Sequence, residues 1–405
     1  MSLLVLGLTL NLLTAPPDLG ARGSIDGELS AGALASSGSA GAAAGAQTEW
    51  VPGLDLDLRL RRQHLAAGYH PRLVLRWPQA VDGRPLVLHR LTLRYDATPA
   101  RRARVNARFY LDAGDTAYGR SLFVFDGAAL SSSVPTVDVL SFLSSGADAS
   151  LRWRLDRRQD LLLSTSLGYN TPLGTPPVAG LFPEQLRGTI EVGYTLAAAR
   201  RQELVLDVQG RGVQFRPGPT YLALRPTAQW KALVNAHWTT TIVGGALLAQ
   251  QQGTIASTNV LRTPLMPVAE IGVDGRERLA RRVPAHVDLR VGLDGYFDPV
   301  AASLSPLASA RSMLELALGP HALASAQAYV YIPLGSEAGL VPGWGRRDPL
   351  LAGGDVRISP WSQRDLRLDC GVRGFGLWTT ATGLILQRSE LVGFVGLRAG
   401  LDAGA

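Results

Sequence analysis

The chain has 405 residues with 45 glycines, 25 prolines and only 18% charged residues, a composition that suits many strands and turns and excludes a helical bundle. All 40 basic residues except Lys231 are arginine, and against 33 acids they give a formal charge of +7. The arginines alternate with aspartates instead of clustering, which argues against a nucleic-acid partner, and the single cysteine, Cys370, excludes an intramolecular disulfide.

Met1 to Ala15 is apolar, too short to span a bilayer as a helix and of the length of a signal-peptide core, although no Lys or Arg precedes it. With Leu19-Gly20-Ala21 as the cleavage site, residues 1–21 read as a signal peptide and 22–405 as one mature domain. No other continuous apolar stretch exists, so a helical membrane protein is excluded.

Gly23 to Leu34 reads as a weak first strand, and Ala35 to Gln47, an Ala/Gly/Ser stretch, as a flexible loop. Order begins at Trp50: Leu54, Leu56, Leu58 and Leu60 alternate with Asp55, Asp57, Arg59 and Arg61. A period of two places the apolar groups on one face of a strand and the ionised groups on the other, whereas a helix would scatter them. Pro71 to Trp77 is a shorter strand. Leu91, Leu93 and Tyr95 then oppose Arg90, Thr92, Arg94 and Asp96, and Val105, Ala107, Phe109 and Leu111 oppose Arg104, Asn106, Arg108 and Tyr110. Leu122 to Phe125 is one further short strand, and Gly127 to Ser145 reads as a loop.

The clearest unit is Asp148 to Tyr169. Ala149, Leu151, Trp153 and Leu155 oppose Asp148, Arg152, Arg154 and Asp156, and after a tight break Leu161, Leu163, Leu167 and Tyr169 oppose Ser164, Ser166 and Asn170. That is an amphipathic hairpin. The pattern recurs with Ile190, Val192 and Tyr194; with Leu204, Leu206 and Val208 against Asp207 and Arg211; and with Leu222, Leu224 and Trp230 against Arg225 and Lys231. It continues with Val287, Leu289 and Val291 against Asp288 and Arg290; with Val356 and Ile358 against Asp355 and Arg357; with Leu366, Leu368 and Val372 against Arg367, Asp369 and Arg373; and closes at Leu401.

Tight links at 157–159, 199–201, 233–236, 319–321 and 361–364 alternate with longer ones at 171–185, 251–263, 297–308 and 335–349. Short turns on one rim and long loops on the other are the habit of a barrel in a membrane, and the count comes to about 16 to 18 strands. Soluble sandwiches also alternate, but here paired opposite charges run over strand lengths of about ten residues, and Trp50, Trp77, Tyr95, Trp153, Tyr169, Tyr194, Trp230 and Trp378 lie near strand ends, as an interfacial belt requires. The expected fold is therefore all-β: a transmembrane antiparallel up-and-down β-barrel.

The six histidines, His64, His70, His89, His237, His286 and His321, have no serine, carboxylate or second histidine at a spacing that one strand would bring together, and no metal-ligand spacing, phosphate loop or nucleophile elbow occurs. The sequence thus implies no enzyme, no catalytic residue, no metal and no cofactor. If the leucines face lipid, the inner wall carries Asp57, Arg59, Arg61, Arg90, Arg94, Arg104, Arg108, Asp148, Arg152, Arg154, Asp207, Arg211, Asp288, Arg290, Asp355, Arg357, Arg367, Asp369 and Arg373. Most of these arginines are expected to pair with aspartates of neighbouring strands, and the surplus to attract anions and polar solutes.

Stretches such as LDLDLRLRR (54–62) and AHVDLRVGLDG (285–295) resemble bacterial outer-membrane β-barrels, over about Gly23 to Leu401. The chain departs from many of them in ending Gly-Leu-Asp-Ala-Gly-Ala instead of in an aromatic. The resemblance implies an outer-membrane location, with lipid and the barrel-assembly machinery as partners. It implies a channel: a conduit for polysaccharide export, served by periplasmic export proteins and by Tyr110, Tyr329 and Tyr331 along its wall, or a diffusion porin for small hydrophilic or anionic solutes, or a structural or adhesion barrel without an open pore. Export is the first expectation.

Overall fold

The computed structural model describes residues 21–38, 41–77, 85–117, 139–173, 184–216, 218–255, 258–262, 265–279, 283–298, 303–333, 349–362, 366–379 and 385–404. They form one antiparallel sheet. In chain order its segments are β1 (Ala21–Gly38), β2 (Gly41–Leu60), β3 (Gln63–Tyr69), β4 (Arg72–Trp77), β5 (Leu86–Ala100), β6 (Ala103–Ala117) and β7 (Val139–Arg154). Then come β8 (Gln159–Pro172), β9 (Glu184–Ala199), β10 (Gln202–Arg216), β11 (Thr220–Leu233), β12 (Trp238–Ile255), β13 (Thr258–Arg262) and β14 (Leu265–Leu279). The last are β15 (Val283–Asp298), β16 (Ser303–Ala317), β17 (Leu323–Pro333), β18 (Pro349–Ser362), β19 (Leu366–Thr379) and β20 (Ile385–Gly404).

Apart from β3–β4 and β13–β14, each segment pairs with the next along the chain. β3 and β4 together fill one place between β2 and β5, broken at His70 and Pro71, where proline removes a ladder donor. β13 prolongs the hairpin at the end of β12, and β14 takes the rest of that strand. The 20 segments therefore make 18 staves. β1 pairs with β20 from Arg22↔Gly404 to Ser37↔Ser389, which closes the sheet on itself and leaves no edge.

The leucine faces point outward. Leu167, Ile190, Ile271 and Val291 are 59%, 57%, 59% and 63% exposed, and the exposed apolar face recurs on every stave from β8 to β12. A band of this extent is untenable in water and is what hydrocarbon requires. Near the rim of short turns it carries Trp153, Tyr194, Trp230 and Trp361, and near the opposite rim Trp50, Trp77 and Tyr169. Trp50 lies midway along β2 but level with Val87 at the start of β5, through Leu73, because the β1–β2 hairpin rises above its neighbours. Trp238 lies flat on the outer face over Gly275, its indole N–H donating to Glu277 Oε2 at 3.1 Å. The molecule is a transmembrane β-barrel of the bacterial outer membrane.

Several expectations change. Residues 35–38 and 41–47 are not loop: β1 and β2 pair from Gly32↔Gln47 to Gly38↔Gly41, because backbone hydrogen bonds need no side-chain pattern. Residues 251–255 and 258–262 pair as the β12–β13 hairpin, β15 and β16 reach into 297–308, and β7 begins at Val139, inside the expected 127–145 loop. The strand expected at 122–125 and the export segment up to residue 20 lie outside the described residues, and Ala21 begins β1. The rim of short turns holds both ends of the described chain and the turns 61–62, 101–102, 155–158, 200–201, 234–237 and 318–322. It is the periplasmic rim.

Leu167→Arg, a charge placed midway on the lipid face, is expected to lower folding stability in lipid by ~2–4 kcal/mol, measured by denaturant titration in vesicles. An unchanged midpoint would mean that this face does not meet lipid.

Candidate functional site

The polar face looks inward. The proof is a set of side-chain chords between staves that are not neighbours, which only a concave surface permits. Arg187 Nη2 on β9 donates to Tyr110 Oη on β6 at 3.1 Å. Arg225 on β11 meets Asp294 on β15 at 2.9 Å. Arg373 on β19 meets Glu49 on β2 at 3.1 Å, and Arg72 on β4 meets the same carboxylate at 2.5 Å. Glu49 therefore bridges the seam at which β1 and β20 close the barrel.

Of the charged residues that alternation assigned to the wall, Arg61 lies in the 61–62 turn. Asp57, Arg59, Arg90, Arg94, Arg104, Arg108, Asp148, Arg152, Arg154, Asp207, Arg211, Asp288, Arg290, Asp355, Arg357, Arg367, Asp369 and Arg373 stand opposite the exposed leucines of their own strands. Their pairing differs from expectation. Arg59–Asp57 at 3.1 Å, Arg94–Asp96 at 2.7 Å, Arg290–Asp288 at 3.1 Å and Arg367–Asp369 at 2.8 Å join residues two apart on one strand. Alternate residues on a strand lie about 6.6 Å apart, a distance that a guanidinium spans along its own strand. Arg90–Asp112 at 3.0 Å and Arg152–Asp160 at 2.5 Å do cross between strands.

Between β5 and β10 the inner wall is a stack of cross-strand rungs. One runs Arg90, Asp112, Ser144, Asn170, Gln185 in direct register. Arg90 holds Asp112, Ser144 Oγ donates to Asn170 Oδ1 at 2.7 Å, and Asn170 Nδ2 donates to Gln185 Oε1 at 3.1 Å. Ser144 and Asn170 are each 1% exposed, so the network is fully satisfied where it is buried. The next rung is Tyr110, Gly146, Gly168, Arg187. A Cβ on Gly146 would lie 2.5 Å from Tyr110 Cε1, and one on Gly168 2.6 Å from Arg187 Nε. The two glycines are the bare floor on which Tyr110 and Arg187 lie down to meet. Tyr329 likewise covers Gly353, and its ring lies 5.7 Å from that of Tyr331. A lower rung carries Asn106 Nδ2 donating to Ser150 Oγ at 3.4 Å and Ser164 Oγ donating to Glu191 Oε2 at 3.2 Å.

From β10 to β14 the inner wall is different near the loop rim. Val213, Phe215, Tyr221, Ala223, Leu247, Ala249, Met266 and Val268 form one buried apolar cluster, joined by Leu304 and Phe297 from the loop-rim ends of β16 and β15. Leu247 is 0% exposed, and the rings of Phe215 and Tyr221 meet edge to face at 6.0 Å. Alternation predicts a polar inner face here, and the signal it overlooks is local: along β10 the apolar parity switches from even at Leu204, Leu206 and Val208 to odd at Val213 and Phe215, and at Leu247 and Leu248 apolar residues occupy both parities. The Arg225–Asp294 chord closes the periplasmic side of this cluster.

Three histidines have carboxylate partners that a single strand could not disclose, and one of them, His70, lies 3.0 Å from Asp55. His64 lies 2.9 Å from Asp57 and 3.6 Å from Asp96, and His286 lies 2.7 Å from Asp274 and 3.3 Å from Glu315. His89 faces outward with Tyr69, its Nδ1 2.8 Å from the phenol oxygen, and His321 stacks on Trp361. No group of three His, Cys, Asp or Glu residues among those described is placed to hold a metal.

No protein-family model and no curated protein matches the chain. Solved structures similar to it include OccK2 (OpdF) of Pseudomonas aeruginosa, at TM-score 0.46 and 11% identity over 94% of this chain and 98% of that one. OccAB1 of Acinetobacter baumannii follows at 0.46 and 9% over 97% and 99%, and the copper transporter OprC at 0.48 and 11% over 95% and 81%. These superpositions are too loose to say anything of what crosses this barrel.

Glu49→Gln is expected to weaken the seam by about 1–3 kcal/mol, the range for a charge-assisted hydrogen bond, and so to lower the temperature at which the folded band unfolds on a gel. A wild-type melting temperature would remove the seam's dependence on this carboxylate. Gly168→Val is expected to lift Arg187 off the wall and raise its peptide-resolved labelling by an arginine-selective dicarbonyl reagent. Labelling equal to wild type would mean that the glycine floor does not position that guanidinium.

Proposed function

We propose that the chain is an outer-membrane channel for small polar solutes, with a preference for anions. The observation that carries this reading is the contrast between the two faces of one closed sheet. The outer face is apolar, while the inner one carries hydrogen-bonded rungs and ion pairs whose arginines remain accessible, such as Arg94 at 66% and Arg152 at 55% side-chain exposure. A wall of that chemistry is stable only when wet, and 18 staves enclose enough room for water. Arginine exceeds acid along it and cannot be neutralised at physiological pH, so the field favours anions.

Polysaccharide export, the first expectation from sequence, has less behind it. Part of the inner surface from β10 to β14 is occupied by side chains packed on one another, Leu247, Phe215 and Tyr221 among them, instead of by an unbroken polar track for a hydroxylated polymer. The remaining track on β5 to β10 suits a small solute.

Reconstituted into a planar bilayer, the barrel is expected to conduct, with a reversal potential in a salt gradient displaced towards the anion. Cation preference would overturn the anion bias, absence of conductance would leave a structural barrel, and loss of surface polysaccharide in a deletion strain with small-solute uptake intact would restore export.

A further inference from the structure

The periplasmic rim carries a repeated feature that conduction alone does not need. Four successive short turns each present adjacent arginines: Arg61-Arg62, Arg101-Arg102, Arg157-Arg158 and Arg200-Arg201. The backbone holds them in place. Arg62 O accepts from Thr98 N at 2.9 Å, Arg102 O from Arg154 N at 2.8 Å, Arg158 O from Ala197 N at 2.8 Å and Arg201 O from Leu233 N at 2.9 Å. At one place the turns converge with the wall on a recess of about 400 Å³ lined by Arg62, Arg101, Arg102, Arg104, Arg152 and Arg154, with Asp160 as its only carboxylate.

The charge in this recess is not balanced from within. Asp160 is already engaged by Arg152 at 2.5 Å and Arg154 at 3.7 Å, and Arg62, Arg101, Arg102 and Arg104 form no ion pair among the described residues. Arg104 and Arg152 stand directly opposite one another on β6 and β7, a register that is destabilising for like charges unless something negative lies between them. At Arg59, Arg94, Arg290 and Arg367 an acid two residues away on the same strand is engaged, whereas Arg104 and Arg152 have none at that spacing, and the recess holds six arginines against Asp160.

We propose that this recess is a binding site for a compact, multiply charged oxyanion, of the phosphate-chain or tricarboxylate class, entering from the periplasmic side. Guanidinium forks match the paired oxygens of either group, and about five net positive charges demand a ligand of high valence. Arg104, Arg152, Arg154 and Asp160 belong to the inner face, so the headgroups of the surrounding bilayer do not reach the site and the ligand is a soluble one. The proposal takes the channel reading as its setting, but binding does not require conduction.

Calorimetric titration of the full-length barrel in non-ionic detergent at physiological salt tests it, with inorganic triphosphate, citrate, orthophosphate and acetate as probes. The expected order follows valence: triphosphate and citrate bind at least about tenfold more tightly than orthophosphate, and acetate does not bind. Arg104→Gln with Arg152→Gln is expected to weaken triphosphate by about tenfold or more, the loss implied by removing charge-assisted hydrogen bonds. The same two substitutions at Arg200 and Arg201, on the rim but outside the recess, leave affinity unchanged. Equal affinities across the anions, or equal losses in the two double variants, would overturn the site in favour of diffuse rim charge. Both double variants remove like-charged arginines and are expected to fold, which gel mobility checks. A barrel that binds triphosphate yet conducts nothing would sink the channel and spare the site, and the reverse result would do the opposite.

Discussion

The whole molecule answers one constraint: in hydrocarbon no water satisfies a peptide N–H or C=O, so every strand must have a neighbour on both sides. The β1–β20 pairing meets it at the one place where chain connectivity offers no help. That pairing runs along β1 from Arg22 to Ser37 and ends in the Ala/Gly/Ser stretch, where side chains contribute little to recognition and the ladder of backbone bonds carries it. Charge reinforces the joint. Glu49 holds Arg72 on one side and Arg373 on the other, and Arg373 together with Arg357 lies over the ring of Phe394, at 5.3 and 5.6 Å from its centroid. The seam is thus tied from the wet side of the sheet, where ions are tolerated.

Once the leucines face lipid, the opposite parity of every strand is committed to the interior. The interior is not uniform. On β5 to β10 rungs of polar side chains cross the strands in register, and bare glycines let long side chains lie along the wall instead of across the lumen. On β10 to β14 an apolar cluster thickens the wall towards the loop rim. The inner surface is therefore two-sided, ionic and hydrogen-bonded along β5 to β10 and apolar towards the loop rim of β10 to β14.

Period two is a local property, and where the sequence keeps it the reading was legible: most strands, their two faces, the short and long rims, and which side of the strand Arg90, Asp207 or Arg357 occupies. What depends on register was not. His64 and His286 look isolated in sequence because Asp96 and Glu315 arrive from other strands, and the Ser144–Asn170–Gln185 chain joins three strands. The prediction that arginines pair across strands failed at Arg59, Arg94 and Arg367 for a geometric reason, and at Arg290 a same-strand pair with Asp288 stands beside the cross-strand one with Glu270. The acid two residues away on the same face is already within reach. The pairing of residues 35–38 with 41–44 was invisible because backbone bonds carry it without a side-chain pattern.

The same geometry explains why the two ends of the wall behave differently towards charge. Where an arginine has an acid two residues along, as Arg94 has Asp96, the pair neutralises itself and the wall stays polar without a strong field. At the periplasmic end of β6 and β7 the position two residues from Arg104 is Arg102, and that from Arg152 is Arg154. The rule that balances the middle of the barrel therefore concentrates charge at its mouth. Positive charge is concentrated where Arg62, Arg101, Arg102, Arg104, Arg152 and Arg154 meet at the short-turn rim, and it is offset by acids along the strands above, as at Arg90–Asp112 and Arg94–Asp96.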